Sequence, residues 1–272
     1  MKRLKQKFSE LKKQNRCAFI SYICAGDPDF STSLELLKQL PEAGCDIIEI
    51  GVPFLDPAGD GPIIENAAKR AIASGMTLKK TLQMVEEFRK IDQKTPLILM
   101  TYFNPVLKYG LNKIFTDADK SGVDGMLIVD LPLEEEGEIL AEIKKSNLDS
   151  IRLITPTTSQ ARAKKICKNA SGFLYLVSML GITGTKSADL SENIKNLENL
   201  RQVSRLPIAI GFGIKTPNQA GEFAKIGVDG VVIGSSLVKE IDDNFLSKKS
   251  SEEIIEATIK KVAGFAEAIA RK

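Results

Sequence analysis

Glu49, Asp56 and Asp60 fall in one short stretch, Asp46-Ile-Ile-Glu-Ile-Gly-Val-Pro-Phe-Leu-Asp-Pro-Ala-Gly-Asp-Gly-Pro62, in which an apolar segment runs into a loop. Ile47, Ile48, Ile50 and Val52 are β-branched, so the segment favours an extended conformation, and with both faces apolar it reads as a strand buried on both sides, as in a parallel sheet. Gly51 and Pro53 end it. Glu49 sits near the carboxyl end of this strand and points away from Ile48 and Ile50. A carboxylate there loses its hydration, which costs roughly several kcal/mol unless hydrogen bonds replace it. Its pKa is therefore expected to rise, which suits a group that both gives and takes protons. A structural ion pair is the competing explanation for Glu49. For Asp60, ahead of Gly61-Pro62, the competing role is the N-cap of a following helix, and Asp56 before Pro57 can be a turn former.

The chain contains no histidine. Ser-His-Asp and Cys-His catalysis are thereby excluded and the commonest zinc and iron ligand is missing, so acid-base work falls to Glu, Asp, Tyr, Lys or Cys. No metal site is expected. Two glycine-containing turns, Gly211-Phe-Gly-Ile214 and Gly234-Ser-Ser236, follow the last two apolar runs. Each alone is an ordinary turn; at these two places together they suggest phosphate held by backbone N–H groups. Ser178 to Asp189 is too polar and glycine-rich for a simple turn and reads as a lid. Its Gly181-Ile-Thr-Gly-Thr-Lys186 does not follow the P-loop pattern, and Gly211-Phe-Gly213 is not continued to GxGxxG, so neither implies a nucleotide.

These residues need a frame, and the chain supplies a repeating one. Apolar runs at 18–24, 46–51, 96–101, 124–129, 150–154, 173–177, 207–211 and 229–233 alternate with amphipathic stretches at 32–40, 78–91, 111–121, 134–146, 159–169, 191–203, 216–226 and 251–270. Eight βα units predict an α/β fold, a (β/α)8 TIM barrel in one domain over residues 1–272, with an open doubly wound sheet as competitor. The unusual residues then collect at strand carboxyl ends, among them Gly26-Asp27-Pro28-Asp29, Glu49, Tyr102 to Pro105, Asp130 and Thr155-Pro156. Leu4, Phe8 and Leu11 recur at helical spacing and predict an extra amphipathic helix at the amino terminus. Thr32-Ser-Leu-Glu35 predicts a capping box for the next helix, which Pro41 should end early. With 38 Lys and Arg against 35 Asp and Glu, the net charge of +3 demands neither a nucleic-acid nor a membrane partner. No apolar run approaches the roughly 20 residues of a membrane span. Four cysteines without metal-ligand spacing are expected to be free thiols in a cytoplasmic protein.

Over essentially its whole length the sequence resembles the tryptophan synthase α subunit family. The resemblance rests on Ala25-Gly-Asp-Pro-Asp29, Glu49-Ile-Gly-Val-Pro-Phe54, Asp56-Pro57 with Asp60-Gly-Pro62, Met100-Thr-Tyr-Phe-Asn-Pro105, Ser178 with Gly181-Ile-Thr-Gly184, Gly211-Phe-Gly-Ile214 and Gly234-Ser235. It implies retro-aldol cleavage of indole-3-glycerol phosphate to indole and glyceraldehyde 3-phosphate, with no cofactor in this subunit. By the same resemblance Glu49 is the proton-transferring acid and base, Asp60 partners the indole nitrogen, and Tyr175 lines the site. Gly184, Gly213, Gly234 and Ser235 map onto phosphate binding around Phe212. Tyr22, Met100, Leu127 and Phe212 map onto an indole slot, and Thr183 and Gly211 belong to the same substrate-binding set. The implied partner is a β subunit carrying pyridoxal phosphate, in an α2β2 complex that receives the indole, met by residues around Leu55 to Pro57 and Asn104 to Pro105. The chain departs from the family pattern at Leu55, Ala58-Gly59, Met179 (often arginine) and Phe173 (often tyrosine). A non-catalytic regulatory subunit, or another phosphate-binding barrel isomerase using Cys24 or Asp130, are the alternatives.

Overall fold

The structure, a computed structural model, describes residues 2–178 and 190–270. All strand pairings are parallel, and the sheet order β5-β4-β3-β2-β1-β9-β8-β7-β6 runs around a barrel. The strands are β1 (Ala18–Cys24), β2 (Ile47–Gly51), β3 (Leu97–Thr101), β4 (Gly125–Ile128), β5 (Asp149–Ser150), β6 (Arg152–Ile154), β7 (Leu174–Val177), β8 (Ile208–Gly211) and β9 (Gly230–Ile233). Among the described residues the count is nine rather than eight because the expected run at 150–154 is divided. Its first half pairs with β4 and its second with β7, while the Ile151 N–H donates to Met126 O at 3.0 Å, so one extended segment joins the two ends of the sheet. The barrel expectation is met and the open sheet is excluded.

Several strands begin one residue later than their apolar runs. Pro96 and Pro207 have no N–H for the ladder, although their carbonyls accept from Ile48 and Leu174 at 2.9 Å. Asp46, Asp124 and Asp229 precede their strands and use a carboxylate oxygen to accept an amide at the start of a neighbouring strand, the second of β1 and the first of β3 and β8: Phe19 N at 2.9 Å, Leu97 N at 2.8 Å and Ile208 N at 2.8 Å. Each is also paired with arginine, Asp46 with Arg16, Asp124 with Arg3 and Arg89, and Asp229 with Arg201. These aspartates form a collar at the amino-terminal face. Helix α1 (Arg3–Lys13) covers that face as its spacing predicts, burying Leu4, Phe8 and Leu11, with the Phe8 ring 5.7 Å from that of Phe173.

The outer layer consists of α2 (Phe30–Gln39), α3 (Pro62–Ala73), α4 (Leu78–Arg89), α5 (Phe103–Tyr109), α6 (Leu111–Ser121), α7 (Gly137–Lys145), α8 (Gln160–Asn169), α9 (Leu190–Arg201), α10 (Pro217–Lys225), α11 (Ser235–Leu246) and α12 (Ser251–Ala270). The capping box expected at Thr32 is not formed. Helix α2 starts at Phe30, and its cap is Asp29, whose side chain accepts the Thr32 N–H at 2.9 Å. An aspartate three residues upstream reaches the free amides first, so Thr32 is drawn into the helix. The helix ends at Gln39, ahead of Pro41 as expected. Three helices have no counterpart in the sequence reading: α3, α5 and α11. Among the described residues no helix is long and apolar enough to cross a membrane, and the four cysteines are free.

Candidate active site

At the carboxyl ends of the strands lies a cavity of about 250 Å3. Glu49 on β2 forms its polar end. The strand delivers the side chain there because β-branched neighbours on both sides hold the backbone extended, and the residue is 1% exposed. Glu49 Oε1 is buried with no hydrogen-bond partner. Burial first, and the nearby charge of Asp60 second, push its pKa up to about 8. Glu49 therefore favours its protonated form at neutral pH. Among the described residues no cation pairs with it, so the structural ion pair considered from sequence has no partner there.

Asp60 enters the same cavity from the loop after β2. It is not a helix cap: the N-cap of α3 is Gly61, with Pro62 at the first turn. Asp60 is half-buried. Desolvation raises its pKa, while a hydrogen bond with the Tyr102 hydroxyl opposes that rise. Tyr102 also accepts the Gly59 N–H at 3.2 Å and lies 5.5 Å from the Phe54 ring, so one side chain holds both ends of the stretch that leads into Asp60. The two carboxylates thus differ in kind. Glu49 is enclosed with its Oε1 unpartnered; Asp60 is partly solvated, and its hydrogen bond with Tyr102 offsets part of the rise that desolvation causes. Asp56, by contrast, is exposed.

Tyr22 and Tyr175 line the opposite walls, and burial holds both phenols well above their ordinary pKa, so they remain neutral. Each hydroxyl rests on a glycine. A Cβ on Gly51 would lie 2.2 Å from Tyr22 Oη, and one on Gly211 would lie 2.4 Å from Tyr175 Oη. Gly211 contributes through that fit and is not itself part of the wall. Met100 and Phe212 are in the wall; Leu127, on β4, is 1% exposed and does not reach it. Phe212 stands edge-on to Tyr175 at 5.7 Å, with φ of +79°, a left-handed conformation unusual for a bulky residue. Ser178 Oγ donates to Phe212 O at 2.5 Å and so secures this turn.

The other end of the cavity is made by Gly213, Gly234 and Ser235. Gly234 is the N-cap of α11, and the first intrahelical bonds run from Leu237 and Val238 to its carbonyl. The first amides of α11, beginning with that of the wall residue Ser235, have no intrahelical partner and lie at the positive pole of the helix dipole, an arrangement suited to a phosphate. Ser236 Oγ donates to Lys215 O at 3.1 Å and ties this helix start to the preceding loop. Thr183 and Gly184, with the lid segment and Met179, lie outside the described residues. Ile64, Ile214 and Val232 complete the wall. Ile214 closes the Gly211-Phe-Gly-Ile214 turn marked in the sequence, whereas nothing there marks Ile64 or Val232, each an aliphatic residue among many. Cys24 and Asp130 do not line the cavity: Cys24 is buried in β1, and Asp130 accepts the Phe103 N–H at 2.7 Å at the start of α5. Among the described residues no cluster of three His, Cys, Asp or Glu is placed to hold a metal ion.

The family model described as tryptophan synthase alpha chain matches residues 8–269. The tryptophan synthase alpha chain of Gluconobacter oxydans is 45% identical over 269 residues, covering 99% of each chain. Among solved structures, tryptophan synthase subunit alpha from Legionella pneumophila superposes with a TM-score of 0.90 at 37% identity, covering 99% of this chain and 98% of that one. A chain of Mycobacterium tuberculosis tryptophan synthase in its aminoacrylate-bound form gives a TM-score of 0.86 at 31% identity, covering 100% of both.

Proposed function

The chain belongs to the tryptophan synthase alpha chain family, and we propose from its cavity how it cleaves indole-3-glycerol phosphate to indole and glyceraldehyde 3-phosphate. The observation that carries the assignment of roles is Glu49: a carboxylic acid enclosed, unpartnered and protonated at neutral pH at the inner end of the cavity. Glu49 gives its proton to indole C3. The ring nitrogen then bears positive charge, which the Asp60 carboxylate stabilises. Glu49, now a carboxylate, takes the proton of the adjacent side-chain hydroxyl as the carbon–carbon bond breaks, the electrons return to the ring, and the aldehyde forms. Protons and electrons balance, and Glu49 ends as it began. Only proton transfers are required, so the residues present supply the chemistry without a cofactor in this subunit.

Tyr22, Tyr175, Met100 and Phe212 sandwich the indole, for which flat apolar walls are suited. Gly213, Gly234 and Ser235, with Thr183 and Gly184, hold the phosphate. The whole chain, residues 1–272, works as one barrel domain in the cytoplasm, where its four cysteines stay reduced. It passes indole to a pyridoxal-phosphate-carrying β subunit in an α2β2 complex, with Leu55 to Pro57 and Asn104-Pro105 at the contact. Leu55 is 60% exposed and Leu107, on the helix beginning beside Asn104, is 53% exposed, as an apolar docking rim requires.

The test is indole release from indole-3-glycerol phosphate by the purified chain and by Glu49→Gln, each with and without the β subunit. Indole is expected from the unmodified chain, faster with the partner, and reduced on the order of a thousandfold or more in the variant. No indole from the unmodified chain even with its partner would overturn the assignment.

A further inference from the structure

The cavity does not explain the motif Ala25-Gly-Asp-Pro-Asp29, because none of its residues lines the wall. Its central carboxylate is nonetheless fully enclosed. The Asp27 side chain has no exposed surface, and it is held by Arg70 on α3, with Nε to Oδ1 at 2.7 Å and Nη2 to Oδ2 at 3.0 Å. The remaining arm, Nη1, donates to Asp242 on α11, and the Phe245 ring of that helix lies 5.6 Å from the guanidinium carbon. The loop bearing Asp27 is fastened to the end of α3 as well: Ser74 Oγ reaches Gly26 O at 3.5 Å, and Gly26, at φ of +77°, packs so closely that a Cβ would lie 1.9 Å from Met76 Cγ.

One guanidinium therefore joins three segments, and each leads into the cavity. Tyr22 is on β1, just ahead of the Asp27 loop. Asp60 and Gly61 immediately precede α3. Gly234 and Ser235 begin α11. Arg70 lies roughly two turns into α3 and Asp242 roughly two turns into α11, so neither touches the cavity, and a displacement at the pair is carried along rigid helices to both starts. A planar fork can hold two carboxylates at a fixed mutual angle; a lysine ammonium at this position could not. Resting on the reading of the site given above, we propose that Arg70 is a positioning residue which, by holding Asp27 and Asp242 together, sets the distance between the Asp60 end and the phosphate end of the cavity.

The experiment compares the full chain with R70K, which keeps the charge, and D242N, which leaves the enclosed Asp27 pair intact and alters a side chain that is 17% exposed. Steady-state indole release with the β subunit present gives kcat and KM. Titration of the isolated chains with sn-glycerol 3-phosphate gives Kd, and thermal midpoints give stability. The expected result is a KM for indole-3-glycerol phosphate and a Kd for glycerol phosphate each raised about tenfold in both variants, with kcat lowered less. Folded variants that keep the wild-type KM and Kd, whatever their melting temperature, would reduce the clamp to a structural contact and overturn the proposal, as would a loss confined to kcat. If the unmodified chain neither releases indole nor binds glycerol phosphate, the functional reading fails and this inference with it, an outcome distinct from variants that match an active parent.

Discussion

Glu49 concentrates the chemistry in one unmatched oxygen, and its titration gives two expectations. Its folded pKa, about 8, is above the ordinary carboxylate value, so the native state holds a proton that the unfolded chain has released. Stability therefore falls as pH rises from about 4.5 to about 8, on the order of a few kcal/mol in all. Glu49→Gln should abolish that decline, so chemical denaturation at pH 5 and pH 8.5 should show the variant gaining on the parent at the higher pH; equal differences at both would contradict it. In the parent, kcat/KM should fall as pH passes through about 8 and the proton donor is lost. Glu49 was legible in the sequence because a carboxylate amid isoleucines at a strand end has few structural uses. Asp60 was legible only through family resemblance. Its environment depends on Tyr102, which reaches the amide of Gly59 across 43 positions of sequence, a distance no local pattern can register.

Elements followed the same divide between local and distant causes. Apolar runs marked every strand, since burial on both faces leaves a continuous signature. The helices α3, α5 and α11 escaped because a barrel reading allots one helix to each strand, whereas here the connections after β2, β3 and β9 each carry two. Helix α11 begins two residues after β9 ends, leaving no loop to announce it. Its start is nonetheless the phosphate end of the proposed site. For α2 the cap is testable directly. Asp29 accepts from Thr32 N at 2.9 Å and from the Ser31 and Thr32 hydroxyls at 2.7 and 2.6 Å. Asp29→Ala should cost about 1 kcal/mol in urea unfolding, and Thr32→Val less, since the backbone amide bond survives. The reverse order would restore the capping box expected from Thr32-Ser-Leu-Glu35.

At the scale of the molecule, the ring closes through the divided strand β5/β6, and a buried pair sits beside it. Arg152 Nη2 and Glu136 Oε2 are 2.6 Å apart, yet both atoms, with Arg152 Nε, lack an aligned hydrogen bond. Such a pair adds little net stability, but losing one member strands the other. Arg152→Met should cost about 3 kcal/mol, and adding Glu136→Gln, which preserves the acceptor for Asn169, should recover most of it in the double-mutant cycle. The opposite rim faces the proposed partner. Combined substitution of Leu55, Asn104 and Pro105 should weaken β-subunit activation while sparing the isolated chain's own turnover; activation unchanged would place the contact elsewhere. The two rims are built on different terms. Because Asp46, Asp124 and Asp229 each bind an amide in the first two residues of an adjacent strand, the register of β1, β3 and β8 against their neighbours is pinned from beneath. Insertions, deletions and rearrangements in the upper loops then have no lever on the stagger of the strands, so the catalytic face is free to diversify over a base that does not have to be solved again.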